Sequence, residues 1–304
     1  MLAKKLKFGD TIGVTGVSNS ITGDGIDTFY AAERFLTEQG FKIKRGNHIF
    51  EDDHGSVGTR YQKAEDMMNM FLDDEVKAII CITGGDTCNT FLDLLDYEEI
   101  KRHPKIVMGY SNVTALLVAL YKKSGLVSFS GPNFLDFGGE KCENGQYSIF
   151  IDAVMNANVD SFKNCEMTIV REGKMHGTLI GTNMNTITHL FGTDFIPDMN
   201  GVVLALENLS CPHNKCQYLL TQYKQNGVFD KINGIIIGYN HGLQKDGVEY
   251  PQVEDWVLDY TKEYSFPIVK CNSFGHAIVT AILPIGAEVE VDNGKITYIS
   301  DFIK

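Results

Sequence analysis

Along the first half of the chain, segments with the apolar spacing of a strand alternate with segments that have the apolar spacing of a helix. The runs Thr11–Thr15 and 76–83 are typical of strands, and the second is apolar almost throughout, as in a sheet covered on both faces. Residues 24–39 and 60–72 carry apolar side chains at helical spacing. The alternation continues to residue 130. It predicts an α/β fold, with an N-terminal, mostly parallel sheet flanked by helices.

The second half of the chain has its own strand pattern. Strands are predicted at 201–206, 232–238 and 267–270, and an Asn293-Gly294 turn between two alternating runs predicts a hairpin. The periodicity weakens between residues 138 and 177. We therefore predict two domains, 1–160 and 161–304, the second being a smaller β-rich α+β domain.

Composition and charge narrow the class of protein. The 304 residues are 43% hydrophobic and 22% charged, which excludes wholesale disorder. The net charge of −12 is unfavourable for binding nucleic acid or an anionic membrane. No apolar window is long enough to span a bilayer, no leader pattern is visible, and the seven cysteines are scattered. We expect a cytoplasmic protein with reduced thiols that binds neither nucleic acid nor membrane.

Ser111 stands where a buried strand, 105–110, meets an apolar helix, 112–124. A sharp turn there exposes the hydroxyl above the sheet, as in a nucleophile elbow, and the helix N-terminus stabilises negative charge. Serine is also a frequent helix N-cap. The residues of this segment leave both interpretations open.

Further candidates end other strands. Gly84 and Gly85 follow strand 76–83, where free backbone N–H groups can hold an oxyanion. A hydroxyl nucleophile needs a base and an orienting group. His276, after Phe274-Gly275, and Glu207, at the end of strand 201–206, are candidates, although a structural histidine is the simpler interpretation of an isolated one.

One cluster of residues contains side chains of the types that bind zinc. Cys211, His213 and Cys216 lie close in sequence, but their spacing is not that of a standard zinc site and no second half follows. We therefore predict no metal.

Segments in order along nearly the whole chain share a family pattern. They are Ile82-Thr-Gly-Gly85, Leu92-Asp-Leu-Leu-Asp-Tyr97, Gly109-Tyr-Ser-Asn-Val-Thr-Ala-Leu116, Gly131-Pro132, Gly177-Thr-Leu-Ile-Gly-Thr-Asn183, Leu190-Phe-Gly-Thr193, Leu204-Ala-Leu-Glu207, Gly275-His276 and Leu283-Pro-Ile-Gly286. Together they resemble the LD-carboxypeptidase family of serine peptidases. Residues 105–134 are most similar to its microcin C self-immunity branch.

The resemblance implies a catalytic triad and no cofactor. Ser111 would be the nucleophile, His276 the base and acid, and Glu207 the group that orients the imidazole. The first domain would then carry the nucleophile and the second the other two residues. The resemblance also implies a homodimer.

The resemblance further implies how substrate is held. The backbone N–H groups of Gly85 and Asn112 would form the oxyanion hole, and Gly84 and Asn183 would contact substrate. Asn112 stands where the family commonly has Asp, and only its backbone is required. For the carboxylate of a peptide substrate, the candidate donors are Arg171, Asn183 and Lys270.

The implied substrate is an amide in a small peptide, or in a peptide- or aminoacyl-nucleotide conjugate as in the microcin branch. One alternative is carboxypeptidase action on murein tetrapeptide in cell-wall recycling. Another is a catalytically silent α/β ligand-binding module. The microcin branch typically carries an aromatic loop with a tryptophan that stacks on the nucleobase. Here the only tryptophan is Trp256, on a predicted C-terminal helix.

Overall fold

A computed structural model describes residues 1–159, 167–243, 251–276 and 279–304. The strands of these residues form two sheets, one of six strands and one of seven. The strands are β1 (Thr11–Thr15), β2 (Lys42–Arg45), β3 (Val76–Cys81), β4 (Ile106–Gly109), β5 (Ser128–Ser130), β6 (Thr168–Arg171), β7 (Met175–Ile180), β8 (Val203–Asn208), β9 (Gly234–Asn240), β10 (Ile268–Gly275), β11 (Leu283–Ile285), β12 (Glu288–Asp292) and β13 (Lys295–Tyr298).

Helices cover these sheets and connect their strands. The helices predicted at residues 24–39, 60–72 and 112–124 are present with nearly those bounds, because the side chains that fix them face the core. In α2, for example, Thr59 caps the first turn and Met67, Met70 and Phe71 are buried. The α-helices are α1 (Asp24–Glu38), α2 (Arg60–Leu72), α3 (Tyr97–Arg102), α4 (Thr114–Ser124), α5 (Glu140–Glu143), α6 (Gln146–Val154), α7 (Met184–Thr188), α8 (His213–Gln225) and α9 (Val253–Tyr260).

The six-stranded sheet has the order β11-β5-β4-β3-β1-β2. The strands β1 to β5 run parallel to their neighbours, and only β11 is antiparallel, with Leu283 opposite Ser130. The carboxyl ends of β3 and β4 therefore lie side by side, which places the Gly84-Gly85 turn next to Ser111. This confirms the predicted α/β class.

The seven-stranded sheet has the order β13-β12-β7-β8-β9-β10-β6. Its centre, β7 to β10, is parallel, whereas β12, β13 and β6 add antiparallel strands at the edges. Every residue of β8 is buried, as in a strand covered on both faces. The β-rich second unit is therefore a mixed sheet with a parallel core.

The end of the chain returns to the first sheet. β10 belongs to the seven-stranded sheet and β11 to the six-stranded one. Phe302 and Ile303 are buried in the same core cluster as Phe129 of β5. The proposed division at residue 160 falls at the start of a segment outside the described residues and stays a prediction.

One predicted helix has a different geometry. The alternation of strands and helices also predicts a helix over residues 87–95, and Cys88–Leu94 forms a 3₁₀-helix. The N–H of Cys88, in the first turn, donates to Asn112 Oδ1 at 2.8 Å, which ties the start of this helix to the strand end at Ser111. Among the described residues, no helix combines the length and apolarity that crossing a membrane requires.

Candidate active site

The backbone at Ser111 is strained in the way a nucleophile elbow requires. Its φ is +64°, in the left-handed region that non-glycine residues seldom adopt. The N-cap of α4 is Val113, and no side-chain hydrogen bond caps that helix. Ser111 is therefore not the N-cap that its position also suggested, and its backbone has the left-handed turn of a nucleophile elbow.

The Gly84-Gly85 turn approaches the serine closely. A Cβ at Gly84 would lie 2.8 Å from Ser111 Cβ, 2.9 Å from its Oγ and 3.4 Å from the backbone nitrogen of Asn112. Gly85 has a φ of +143°, and its N–H donates to no acceptor among the described residues. The turn that carries Gly85 therefore lies next to Ser111 and Asn112, and the role of the Gly85 and Asn112 N–H groups as oxyanion donors stays a prediction.

The Asn112 side chain holds these strand ends together. Its Oδ1 accepts hydrogen bonds from Ser18 Oγ and from the Cys88 N–H, both at 2.8 Å. Ser18 Oγ in turn accepts from the Thr87 N–H at 3.0 Å. Asn112 is 5% exposed, so these bonds form away from water. The Asn112 side chain therefore fixes the turn after β3.

A second buried group supports the same turn. Lys63 Nζ donates to Ser56 Oγ at 2.7 Å and to Thr87 Oγ1 at 2.9 Å. Burial lowers the pKa of Lys63, because the charged form loses hydration. Sequence analysis did not identify this residue, since it lies at an ordinary position of helix α2.

Glu207 and His276 form a hydrogen-bonded pair. His276 Nδ1 lies 2.6 Å from Glu207 Oε2. Glu207 is fully buried, while the His276 side chain is 9% exposed. A carboxylate on Nδ1 fixes the tautomer that carries its proton there and leaves Nε2 free to accept one. Gly275 permits this approach, since a Cβ there would lie 2.9 Å from Glu207 Cβ.

Asn183 contacts this pair from the other side. Its side-chain amide donates to Glu207 Oε1 at 3.0 Å, and its Oδ1 accepts from the Thr186 N–H at the start of α7. Asn183 is only 4% exposed. These contacts favour a role in holding Glu207, and the predicted contact of Asn183 with substrate stays a prediction.

Tyr110 links the imidazole to a charged pair that sequence analysis missed. The centroids of the Tyr110 and His276 rings are 5.0 Å apart. Lys141 Nζ bonds Tyr110 Oη at 2.8 Å and lies 3.3 Å from Asp136 Oδ1. Burial raises the pKa of the Asp136 carboxyl, against the opposing pull of Lys141 and the Asn133 N–H. Lys141 lies in a polar, glycine-rich stretch with no periodicity, so no sequence pattern marked it.

Other predicted residues lie in structural contacts. Arg171 donates to the backbone oxygens of Thr261 and Phe266. Lys270 pairs with Glu254. Arg171 and Lys270, which were candidate donors to a substrate carboxylate, are therefore already engaged in contacts within the protein.

The residues considered as a zinc site, Cys211, His213 and Cys216, do not face a common point. His213 Nδ1 accepts a hydrogen bond from Trp256 at 3.0 Å. Cys211 and Cys216 are both buried. Within the described ranges, no three His, Cys, Asp or Glu side chains are placed to share a metal ion.

Comparison with known proteins assigns the chain to a family. Models of the LD-carboxypeptidase N-terminal and C-terminal domains match residues 12–131 and 176–291. The chain belongs to the LD-carboxypeptidase family. The predicted serine-type carboxypeptidase class is thereby confirmed at the level of the family.

Relatives within the LD-carboxypeptidase family span nearly the whole chain. The microcin C7 self-immunity protein MccF of Escherichia coli is 28% identical over 323 residues, covering 96% of this chain and 93% of that protein. A probable murein peptide carboxypeptidase of Bacillus subtilis (strain 168) is 28% identical over 309 residues, covering 97% and 92%. The structure of MccF in complex with glutamyl sulfamoyl guanosine has a TM-score of 0.91 at 26% identity, covering 100% of this chain and 99% of that one.

Proposed function

We propose that the protein is a serine hydrolase that cleaves an amide bond in a small peptide or an aminoacyl-nucleotide conjugate. Ser111 is the nucleophile, His276 the base and acid, and Glu207 the orienting group. The proposal is carried by a strained Ser111 whose neighbour Tyr110 packs against the His276 imidazole, 5.0 Å between ring centroids, while a buried carboxylate holds Nδ1 of that imidazole. A ligand-binding module needs neither feature.

The proposed reaction assigns one step to each of these groups. Nε2 of His276 accepts the proton of Ser111 as Oγ bonds to the carbonyl carbon, and the carbonyl electron pair moves onto its oxygen. The N–H groups of Gly85 and Asn112 stabilise that oxyanion. When the carbonyl re-forms, the C–N bond breaks and the leaving amine takes the proton from Nε2. Water then hydrolyses the acyl-enzyme and restores the Ser111 hydroxyl.

The family relatives supply the substrate classes. MccF, a microcin self-immunity protein, has been solved with glutamyl sulfamoyl guanosine, and the Bacillus subtilis relative is named a probable murein peptide carboxypeptidase. The aminoacyl-nucleotide conjugate is the first class we propose. The only tryptophan, Trp256, lies in α9 and bonds to His213. Base stacking as in the microcin branch would therefore need another aromatic side chain.

A cleavage assay read by mass spectrometry tests the proposal. Wild type and Ser111→Ala are each offered an L,D-linked murein tetrapeptide and an aminoacyl sulfamoyl-adenosine. Ser20→Ala is the control, since that hydroxyl bonds Asp52 in an exposed loop. We expect cleavage of one substrate by wild type and by Ser20→Ala, and none by Ser111→Ala.

A serine-directed phosphonate separates a hydrolase from a silent binding module. We expect labelling at Ser111 that is lost in Ser111→Ala. No Ser111-dependent cleavage together with no labelling would refute the hydrolase and favour the binding module.

Two further properties are proposed, the first from the family resemblance and the second from the segment pattern and the cysteines of the sequence. One is a homodimer, which light scattering on the purified protein tests. The other is a cytoplasmic location, which fractionation of cells tests.

A further inference from the structure

The proposed mechanism leaves one charged side chain near the reacting groups without a task. Lys141 Nζ lies 4.4 Å from the ring centroid of Tyr110. That ring packs against the His276 imidazole, with 5.0 Å between centroids, and Tyr110 directly precedes Ser111. A single aromatic side chain therefore separates the lysine from the proposed general acid.

The ammonium group of Lys141 has unused hydrogen-bonding capacity. Of its three N–H donors, one serves Tyr110 Oη at 2.8 Å and one faces Asp136 Oδ1 at 3.3 Å. Among the described residues the third has no acceptor. The side chain is only 20% exposed, so water screens its charge less than at an open surface. A cation of this kind favours an oxygen anion as its third partner.

The Tyr110 hydroxyl adds a second donor at the same place. Its oxygen accepts from Lys141, and in the part of the chain that the structure describes its own proton has no acceptor. An ammonium and a hydroxyl side by side match the two oxygens of a carboxylate.

We propose that Lys141 and the Tyr110 hydroxyl form a subsite for a carboxylate of the substrate. The inference rests on the proposed function. In a carboxypeptidase substrate, two covalent bonds of about 1.5 Å each separate the leaving nitrogen from the terminal carboxyl carbon. His276 must protonate that nitrogen, so the carboxylate is held near the Tyr110 ring, which lies against both the imidazole and Lys141. Asp136 fixes the ammonium in this position.

A substrate carboxylate can come from two places. It is the free terminus of the leaving amino acid in a murein tetrapeptide, or the acidic side chain on the acyl side of a glutamyl conjugate. The contact with Tyr110 beside the proposed general acid favours the leaving side. The experiment therefore uses two matched pairs of ligands: the tetrapeptide and its C-terminal carboxamide, and glutamyl and glutaminyl sulfamoyl-adenosine.

The kinetic test compares wild type with Lys141→Met. We expect the variant to lower kcat/KM for the carboxylate member of one pair roughly tenfold to hundredfold, the effect of one charge-assisted hydrogen bond. The neutral member should be unchanged. Lys141→Arg should retain part of the preference, and Tyr110→Phe should lose a smaller part of it.

The matched control is Lys123→Met. Lys123 also lies over an aromatic ring, 5.2 Å from the Phe195 centroid, and has no contact with Tyr110 or His276. It should behave as wild type. An equal loss on the acid and neutral members in Lys141→Met would show a merely structural role and overturn the subsite. A selective loss on the tetrapeptide assigns the leaving side, and one on the glutamyl conjugate assigns the acyl side.

Binding to a Ser111→Ala background separates this inference from the proposed function. Calorimetry with the same four ligands needs no turnover. Acid-selective weakening by Lys141→Met supports the subsite even if hydrolysis is never observed. If the Ser111→Ala protein binds acid and neutral members equally, or binds none of the four, the subsite is refuted whatever the enzyme cleaves.

Discussion

Asn183 donates its side-chain amide to Glu207 Oε1 at 3.0 Å, while Glu207 Oε2 holds His276. Both oxygens of a fully buried carboxylate are therefore engaged, as a buried charge requires. The asparagine fixes the rotation of the carboxylate and through it the direction of the imidazole. Sequence comparison alone suggested a substrate contact at this position.

This contact makes Asn183 testable as a positioning residue. Asn183→Asp keeps Oδ1, which accepts from the Thr186 N–H and caps α7, but it removes the donor to Glu207 and adds a second carboxylate. We expect kcat to fall roughly tenfold to hundredfold, the effect of a lost hydrogen bond to a charged group, with KM little changed. Steady-state kinetics with a thermal melt checks this. A rise in KM alone would instead indicate direct contact with substrate.

The triad should act as a unit. Ser111→Ala and His276→Ala are each expected to lower kcat on the order of 10⁴–10⁶-fold, and the double variant should be little worse than either, because each residue works only through the other. Single-turnover rates of the three variants measure this. Losses that multiply would argue against the assignment.

Asn112 should tolerate Asp but not Ala. Aspartate retains the oxygen that accepts from Ser18 and the Cys88 N–H, so Asn112→Asp should keep activity within about tenfold of wild type. Asn112→Ala leaves both donors unpaired and should cost about 1–3 kcal/mol of unfolding free energy. Denaturant titration and kinetics test the pair. A loss of about 10²–10³-fold in Asn112→Asp would show that the side chain takes part in the oxyanion hole.

A methyl group at Gly84 should disturb the nucleophile more than the fold. The new Cβ would lie 2.9 Å from Ser111 Oγ, so the hydroxyl must move. A shift of about 1 Å lowers rates by about 10²-fold, and we expect that loss in kcat/KM for Gly84→Ala. Gly25→Ala in α1 is the control, because its nearest atom is an ordinary 3.5 Å away. Near-normal activity in Gly84→Ala would show that Ser111 does not need its present position.

Lys105 should make stability depend on pH. It is 6% exposed, its Nζ donates to Met70 O at 2.8 Å, and burial lowers its pKa from 10.5 to about 8. Between pH 8 and 10.5 the unfolded chain holds this proton and the folded chain releases it, so its contribution to stability rises with pH. Urea titrations should show that the unfolding free energy of the wild type rises relative to that of Lys105→Met between pH 8 and 10.5. The exposed Lys77→Met is the control, and a constant difference would contradict the assignment.

The spacing of apolar residues predicted those helices and strands that are determined by their own side chains. Helices α1 and α2 begin and end within one residue of the bounds that their apolar spacing predicts. Strands β6, β7 and β11 were missed. The three residues of β11, Leu283–Ile285, carry no period, and only β5 beside them makes them a strand. Such pairing depends on residues far along the chain, and a local window does not contain it.

The site divides in the same way. Ser111, Glu207 and His276 stand at strand ends, where topology predicts chemistry, and family segments mark each of them. Lys63 and Lys141 lie in helices and matter through tertiary contacts alone. Only the distances between side chains show that these two lysines lie beside the proposed site.

The return of the chain from β10 to β11 has a consequence for synthesis of the protein. The ribosome delivers the proposed nucleophile long before the proposed base, and His276 lies between a strand of the second sheet and a strand of the first. The nascent polypeptide therefore has its elbow while the hydrolytic machinery is still incomplete. Activity should begin only after residues 283–303 have been added and have packed against the first sheet, so the folding of this late segment switches the hydrolase on.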